Sequence, residues 1–350
     1  MISKLKYVVI VLAGFCFSCV SVSKKIKAEH KTEQFITDNP LTANSHAATL
    51  EEIKPNHLLV AWFGGKHEGA KDVGIYTSNY DGKSWSQPQM CIAPLVKDGD
   101  TLPCWNPVLY KSKSEKLYLF YKIGKNPREW FGAMIVSNDN GMSWSKPEYL
   151  PNGILGPIKN KPVEVVPGTI LCGSSTESVT DNQWRVHVET YTEATNNWKK
   201  IPVENKKNFD IIQPTFLVHS KKNIQILSRS KHNKLITSWS KDYGQSWKNT
   251  DSIEVVNSNS GIDALTLSPK LFLLVNNPLR QGKDWFNGRN ILDVEYSGDG
   301  LRWEKLFDLE NQKEGEFSYP AVIQTEDKKI HVLYTYNRKY IKHVTFNIRK

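Results

Sequence analysis

Apolar residues along this chain come in short bursts. HLLVAWF (57–63), LYLFY (117–121), IQILS (224–228) and KIHVLYTY (329–336) are rich in β-branched and aromatic residues, and Gly, Pro, Asn and Asp punctuate the gaps between them. No long helical period competes with them, so the pattern predicts an all-β chain. The bursts also repeat. HAATLEEIKPNHLLVAWF, NPVLYKSKSEKLYLFYK, KPVEVVPGTILCGSS, QPTFLVHSKKNIQILSRS, DALTLSPKLFLLVNN and YPAVIQTEDKKIHVLYTY each read as strand, tight turn, strand. A third strand follows each of them: VGIYTS, GAMIVS, RVHVET, LITSWS, ILDVEYS and IKHVTF.

A turn motif closes most copies. SNDNGMSWSKP (137–147) and SKDYGQSWKNT (240–250) carry Ser-x-Asp-x-Gly-x-Ser-Trp intact. SNYDGKSWSQP (78–88), YTEATNNWKKIP (191–202) and SGDGLRWEKL (297–306) are degenerate or one residue off, and the tryptophans at 85, 144, 198, 247 and 303 fall 49 to 59 residues apart. In such a turn the Asp or Asn side chain binds the turn's own backbone, Gly takes the positive φ and Trp packs between neighbouring units. The motif is architectural. Six copies of a four-stranded unit predict a six-bladed β-propeller. The last copy has no box, so its outer strand is expected from the segment before residue 46, which would seal the ring against edge pairing.

The residue that opens the first strand of each copy is polar: His46, Asn106, Lys161, Gln213, Asp263 and Tyr319. First strands line the axis of a propeller, so these six are expected around one mouth of the channel. Antiparallel pairing brings the end of the second strand and the start of the third to the same face, which adds Glu68, Asp72, Arg128, Glu177, Arg185, Arg229, Arg289 and Arg338. Several guanidiniums in one concavity repel one another unless acids or an anionic ligand intervene, which is how a carboxylate or sulfate site is built. Trp105, Trp130 and Trp184 fall near the same rim, to stack on sugars or to pack between blades. His187 alternates inward on its strand and reads as packing.

The recurring motif is the Asp-box, and over nearly all of residues 43–346 the chain resembles the sialidase-like (BNR/Asp-box) propeller superfamily. That resemblance implies an exo-acting glycosidase in which arginines hold the substrate carboxylate, a Tyr activated by a Glu attacks the sugar, and an Asp protonates the leaving group. Tyr319 in SYPAV matches the nucleophile, Asp72 the acid/base group, and Arg229 and Arg289 the second and third arginines. Two positions depart. The Arg-Ile-Pro of the first blade is replaced by SHAAT with His46, and Gln213 stands in IIQPTF where the glutamate is expected and cannot act as a base. Glu177 or Glu68 would then have to supply the carboxylate. His46 is itself a general-base candidate, for hydrolysis or for removing the proton beside a uronate carboxyl. The expected functions are therefore a hydrolase acting on a terminal acidic sugar (a sialic or uronic acid), a carbohydrate-binding propeller without catalysis, or a polysaccharide lyase.

The N-terminus, MISKLKYVVIVLAGFCFSC, has two lysines before an apolar run too short to span a bilayer. Residues 1–18 read as a signal peptide, either secretory or of lipoprotein type with Cys19 as the lipidated residue. Residues 19–42 read as a tether and 43–350 as one propeller. The protein is expected to be exported, periplasmic or at the cell surface, with a membrane as partner through Cys19 if lipidated. Removing residues 1–18 takes two lysines and no acids from a net charge of +10, which still leaves a basic protein. No dense basic helix or stacking module points to nucleic acid, so an acidic glycan is the expected partner. No metal-ligand spacing or cofactor motif is present, and none is expected. Of the cysteines beyond the signal, Cys91 and Cys104 are candidates for a disulfide, whereas Cys172 stands alone.

Overall fold

The structure is a computed structural model that describes residues 26–349; the signal segment and Cys19 lie outside the described residues. Six four-stranded antiparallel sheets form the blades, and no helix occurs among the described residues. Blade 1 comprises Asn44–Lys54, His57–Gly65, Gly74–Tyr80 and Gln89–Ile92; blade 2 comprises Cys104–Lys111, Leu117–Ile123, Phe131–Ser137 and Glu148–Tyr149. Blade 3 runs through Val163–Val166, Thr169–Glu177, Trp184–Thr192 and Asn197–Pro202, and blade 4 through Ile211–Val218, Ile224–Ser230, Lys234–Ser240 and Asp251–Val256. Blade 5 has Asp263–Ser268, Leu271–Asn276, Ile291–Ser297 and Glu304–Asn311. Blade 6 takes Phe317–Gln324, Ile330–Tyr336 and Tyr340–Arg349 from the C-terminus and its outer strand, Lys27–Phe35, from the N-terminus. Lys27 thereby pairs with Arg349. Part of the segment read as a tether is thus a strand of the ring.

Apolar side chains fill the spaces between blades. Phe63 and Ile75 of blade 1 share one buried cluster with Leu119 and Tyr121 of blade 2, and Trp247 packs with Phe216 in the core of blades 3 and 4. The Asp-box turns anchor the outer strands. Asp139 accepts hydrogen bonds from the Ser143 amide (2.8 Å) and from the Ser137 hydroxyl (2.7 Å), and Asp242 repeats both contacts with Ser246 and Ser240. Gly141 and Gly244 sit at φ 86° and 85°, where a Cβ is disfavoured. The boxes are structural and lie away from the axis.

Cys91 and Cys104 are free thiols, not a disulfide. Cys104 is buried with its Sγ 3.6 Å from the Ala93 carbonyl, and burial pushes its thiol up to about 12.

Candidate functional site at the channel mouth

Four of the six first strands open with the same backbone device. Register breaks between His46 and Thr49, Trp105 and Val108, Ile212 and Thr215, and Ser318 and Ala321. Inside each break one non-glycine residue has positive φ: Ala47 (54°), Asn106 (37°), Gln213 (56°) and Tyr319 (53°). Such a conformation costs on the order of 1–3 kcal/mol unless the surroundings impose it, and it concentrates at functional sites. Each bulge turns one side chain toward the mouth. Proline follows in three of the four and Ala48 in blade 1.

The bulge corrects the repeat alignment. Ala47, not His46, is the blade 1 counterpart of Tyr319. His46 falls one residue earlier and is wholly buried, with its ring 4.2 Å from that of Tyr319, 5.5 Å from that of Phe63, and Nδ1 2.8 Å from the Thr335 hydroxyl. Burial, reinforced by Arg338, Arg289, Arg229 and Lys159, holds its pKa well below the ordinary value. His46 is a neutral prop beneath the tyrosine.

Blades 3 and 5 lack the bulge, and their opening residues serve another purpose. Lys161 Nζ lies 2.8 Å from Asp263 Oδ2, and that carboxylate also accepts from the Thr215 hydroxyl and the Val322 amide at 2.9 Å each. With Asp263 only 2% exposed, the pair latches blades 3 to 6 together below the mouth and does not face a ligand.

Around Tyr319 the positive charge is dense. The phenol oxygen accepts a long hydrogen bond, 3.4 Å, from Gln213 Nε2. The Arg229 guanidinium lies 5.5 Å from the centre of the Tyr319 ring and 5.6 Å from that of Trp184, while its Nη1 donates to the Asn259 carbonyl (2.8 Å). Arg289 and Arg338 share one carboxylate. Arg289 Nη1 is 3.1 Å from Glu316 Oε1, and Arg338 Nε is 3.0 and 2.9 Å from its two oxygens. Arg338 also reaches Glu68 at 2.6 Å. Trp285, half exposed, roofs both guanidiniums at 5.1 and 4.7 Å.

Several buried polar atoms at this mouth have no partner: Gln213 Oε1, Arg229 Nε, Arg289 Nε, Asn259 Oδ1 and Asn277 Oδ1. Leaving such atoms unpaired costs roughly 1–3 kcal/mol each, so their concentration here marks a place built for polar company.

Three residues absent from the sequence-derived set hold the arrangement. Lys159, 5% exposed, donates from Nζ to Asn160 Oδ1 and to the Ile262 carbonyl at 2.8 Å each, and also to the Pro320 carbonyl; the same nitrogen is 5.9 Å from the Tyr319 ring centre. Asn160 Nδ2 donates to the Gln213 carbonyl (3.0 Å). The adjacent pair therefore grips the bulges that present Gln213 and Tyr319. Burial lowers the Lys159 pKa to about 7. Glu316, in GEFSYP, is the third, and its position three residues before Tyr319 is the one signal the sequence offered.

The remaining predicted residues divide. Asn106 is buried at its bulge, and Glu68 reaches the site through Arg338. Asp72 is exposed on the blade 1 loop, with both carboxylate oxygens 3.2 Å from the Lys66 amide. Burial raises the Glu177 carboxyl above its ordinary range, opposed by Arg229 and Arg128. Arg128 is exposed and donates to Asn182. Arg185 does not enter the mouth; it pairs locally with Asp181 at 2.6 Å. His187 is held by Glu189 at 2.8 Å, as packing. Trp105 is buried with Nε1 bonded to the Gly124 carbonyl (2.7 Å), so of the three tryptophans expected at the rim only Trp130 and Trp184 are partly exposed.

A six-bladed propeller with Asp-boxes and an arginine-rich mouth around an axial tyrosine defines the sialidase-like class. The profile of the BNR repeat-like domain matches residues 56–332, and the chain belongs to that family. No curated protein sequence matches it. Among solved structures, a protein of unknown function from Dyadobacter fermentans superposes with a TM-score of 0.73 at 14% identity, covering 93% of this chain and 99% of that one. The K499G mutant of NanB sialidase from Streptococcus pneumoniae gives 0.69 at 12% identity over 89% of this chain and 70% of the other. Trypanosoma rangeli sialidase gives 0.68 at 15% over 90% of this chain, which spans 59% of that protein. At these identities the likeness is one of fold.

Proposed function

We propose that the protein is an exported, exo-acting glycosidase that removes a terminal carboxylated sugar, a sialic or uronic acid, from a glycan. The observation that carries this reading is the convergence of Arg229, Arg289 and Arg338 about Tyr319. Arg338, from the last hairpin, would supply the third guanidinium that blade 1 lacks at Ala47. The three would hold the sugar carboxylate. Tyr319 would meet the anomeric carbon, where a phenol approaches a carboxylate-bearing centre with less repulsion than an acid would, and Asp72, on an exposed loop, would protonate the leaving oxygen. If the export segment carries the lipid at Cys19, the enzyme works from a membrane surface. Release of the terminal acidic sugar from a panel of acidic oligosaccharides tests the reading. Tyr319→Phe and Asp72→Asn should each abolish turnover in folded protein, and unchanged turnover in both would sink it.

Gln213 supports a second reading, a propeller that binds the sugar without cleaving it. Its amide nitrogen faces the phenol oxygen and offers no base there. In that case calorimetry finds binding that depends on Arg229 and Arg289 with no product by mass spectrometry, and Gln213→Glu awakens hydrolysis of a fluorogenic sialoside.

A further inference from the structure

Two recesses lie beside the mouth on the same face of the propeller. One, about 230 Å³, is lined by Arg128, Trp130, Thr176, Glu177 and Lys200. The other, about 540 Å³, is lined by Trp184, Arg185, Asn205 and Asn208, and again by Thr176 and Lys200. They flank the tip of the blade 3 hairpin and share a wall. Their other walls are the loop between the second and third strands of blade 2 and the links into blades 3 and 4. In an antiparallel blade those segments sit at the end where first strands open. Trp184 joins the groove to the axis, since the Arg229 guanidinium lies between the Trp184 and Tyr319 rings.

The chemistry of the groove is that of a sugar site with an anionic preference. Two partly exposed indoles line it, Trp130 and Trp184, the latter with Arg229 and Lys231 at 5.6 and 4.5 Å from its ring centre, and Asn205 and Asn208 offer amides for hydroxyls. Arg128 and Lys200 are exposed, and neither makes an ion pair with a carboxylate among the described residues. Arg185 is already neutralised by Asp181, so Lys200, which lines both recesses, is the central uncommitted cation.

We infer that this groove over blades 2 to 4 is a subsite for the continuation of an anionic glycan, holding a second acidic sugar beyond the terminal residue at the axis. The inference rests on the axial site receiving the terminal sugar. It makes the substrate an oligosaccharide with acidic groups on successive residues, not a single acidic cap on a neutral chain.

Calorimetry on the Tyr319→Phe protein, chosen so that the ligand is not turned over, compares N-acetylneuraminic acid with its α2,8-linked trimer, and galacturonic acid with its α1,4-linked trimer, both oligomers carrying a carboxylate on every residue. In one of the two series the oligomer should bind about tenfold or more tightly than the monomer, a gain of about 1.4 kcal/mol. Lys200→Glu should remove that gain and leave the monomer's affinity unchanged, while Arg289→Ala should weaken both. Equal affinities for monomer and oligomer, both dependent on Arg289, would overturn the groove and leave the axial site standing. Oligomer binding that is lost in Lys200→Glu yet indifferent to Arg289→Ala would keep the groove and remove the axial reading. No binding in either series would overturn both.

Discussion

Among the described residues Glu316 is the one carboxylate that both Arg289 and Arg338 bind through side-chain hydrogen bonds, and Glu316→Gln isolates its contribution while keeping the shape of the side chain. Arg289 is 5% and Glu316 8% exposed, so neither charge has water to fall back on. At an effective dielectric of about 20, two charges roughly 4 Å apart attract by about 4 kcal/mol, and removing one member of a buried pair typically costs about 3–5 kcal/mol. Arg338 keeps Glu68 as a second partner, so the loss falls mainly on Arg289. The expected destabilisation is about 3–5 kcal/mol, a large fraction of the roughly 5–15 kcal/mol that holds a native domain together. In a chain of this size it should lower the melting temperature by roughly 5–10 °C. Differential scanning fluorimetry and urea unfolding read it directly. Glu68→Gln is the control, because that partner is 38% exposed and should cost no more than about 1 kcal/mol. A bound carboxylate ligand takes up the role of the missing acid, so the variant should regain more stability from ligand than the parent does. A loss under about 1 kcal/mol for Glu316→Gln, or one equal to that of Glu68→Gln, would refute the reasoning.

Two further outcomes follow from buried titratable groups. His331 and His343 stack in blade 6 with Nδ1 and Nε2 3.0 Å apart, and burial lowers them to about 4 and about 3. The unfolded chain binds their protons first, so stability should fall as pH drops from about 6.5 to about 3, and His331→Phe should flatten that limb in melting temperature measured against pH. Lys159→Met leaves the buried Ile262 and Pro320 carbonyls without their donor at a cost of roughly 1–3 kcal/mol each. It should also weaken sugar binding in calorimetry by freeing the Tyr319 bulge, more than Lys161→Met does.

The propeller was legible because each blade repeats the same strand spacing and the same box, so one weak signal is read six times. The mouth was legible only in outline. Tyr319, Gln213, Arg229 and Arg289 fall where repeat alignment put them, since strand ends are fixed by the turns that follow. His46 slipped by one because a bulge adds a residue without changing composition, and the alanine that occupies the site carries no chemical mark. Arg185 and Asp263 were misplaced for a different reason. An arginine four residues from an aspartate satisfies itself locally, and a carboxylate opening a strand without a bulge turns into the blade junction. Lys159 escaped because its partners are carbonyls of blades 5 and 6, a long way off in sequence.

The outer strand of blade 6 sets an order of events on the chain. Lys27–Phe35 is made before its partner, Tyr340–Arg349, with all the strands of five blades between them, so it must wait unpaired while those blades assemble. An exposed edge held open that long invites pairing with other chains. Its sequence, KAEHKTEQF, alternates charges of both signs and carries a single large apolar residue at its end. The strand that seals the ring is thus polar enough to resist wrong pairing until Tyr340–Arg349 is made.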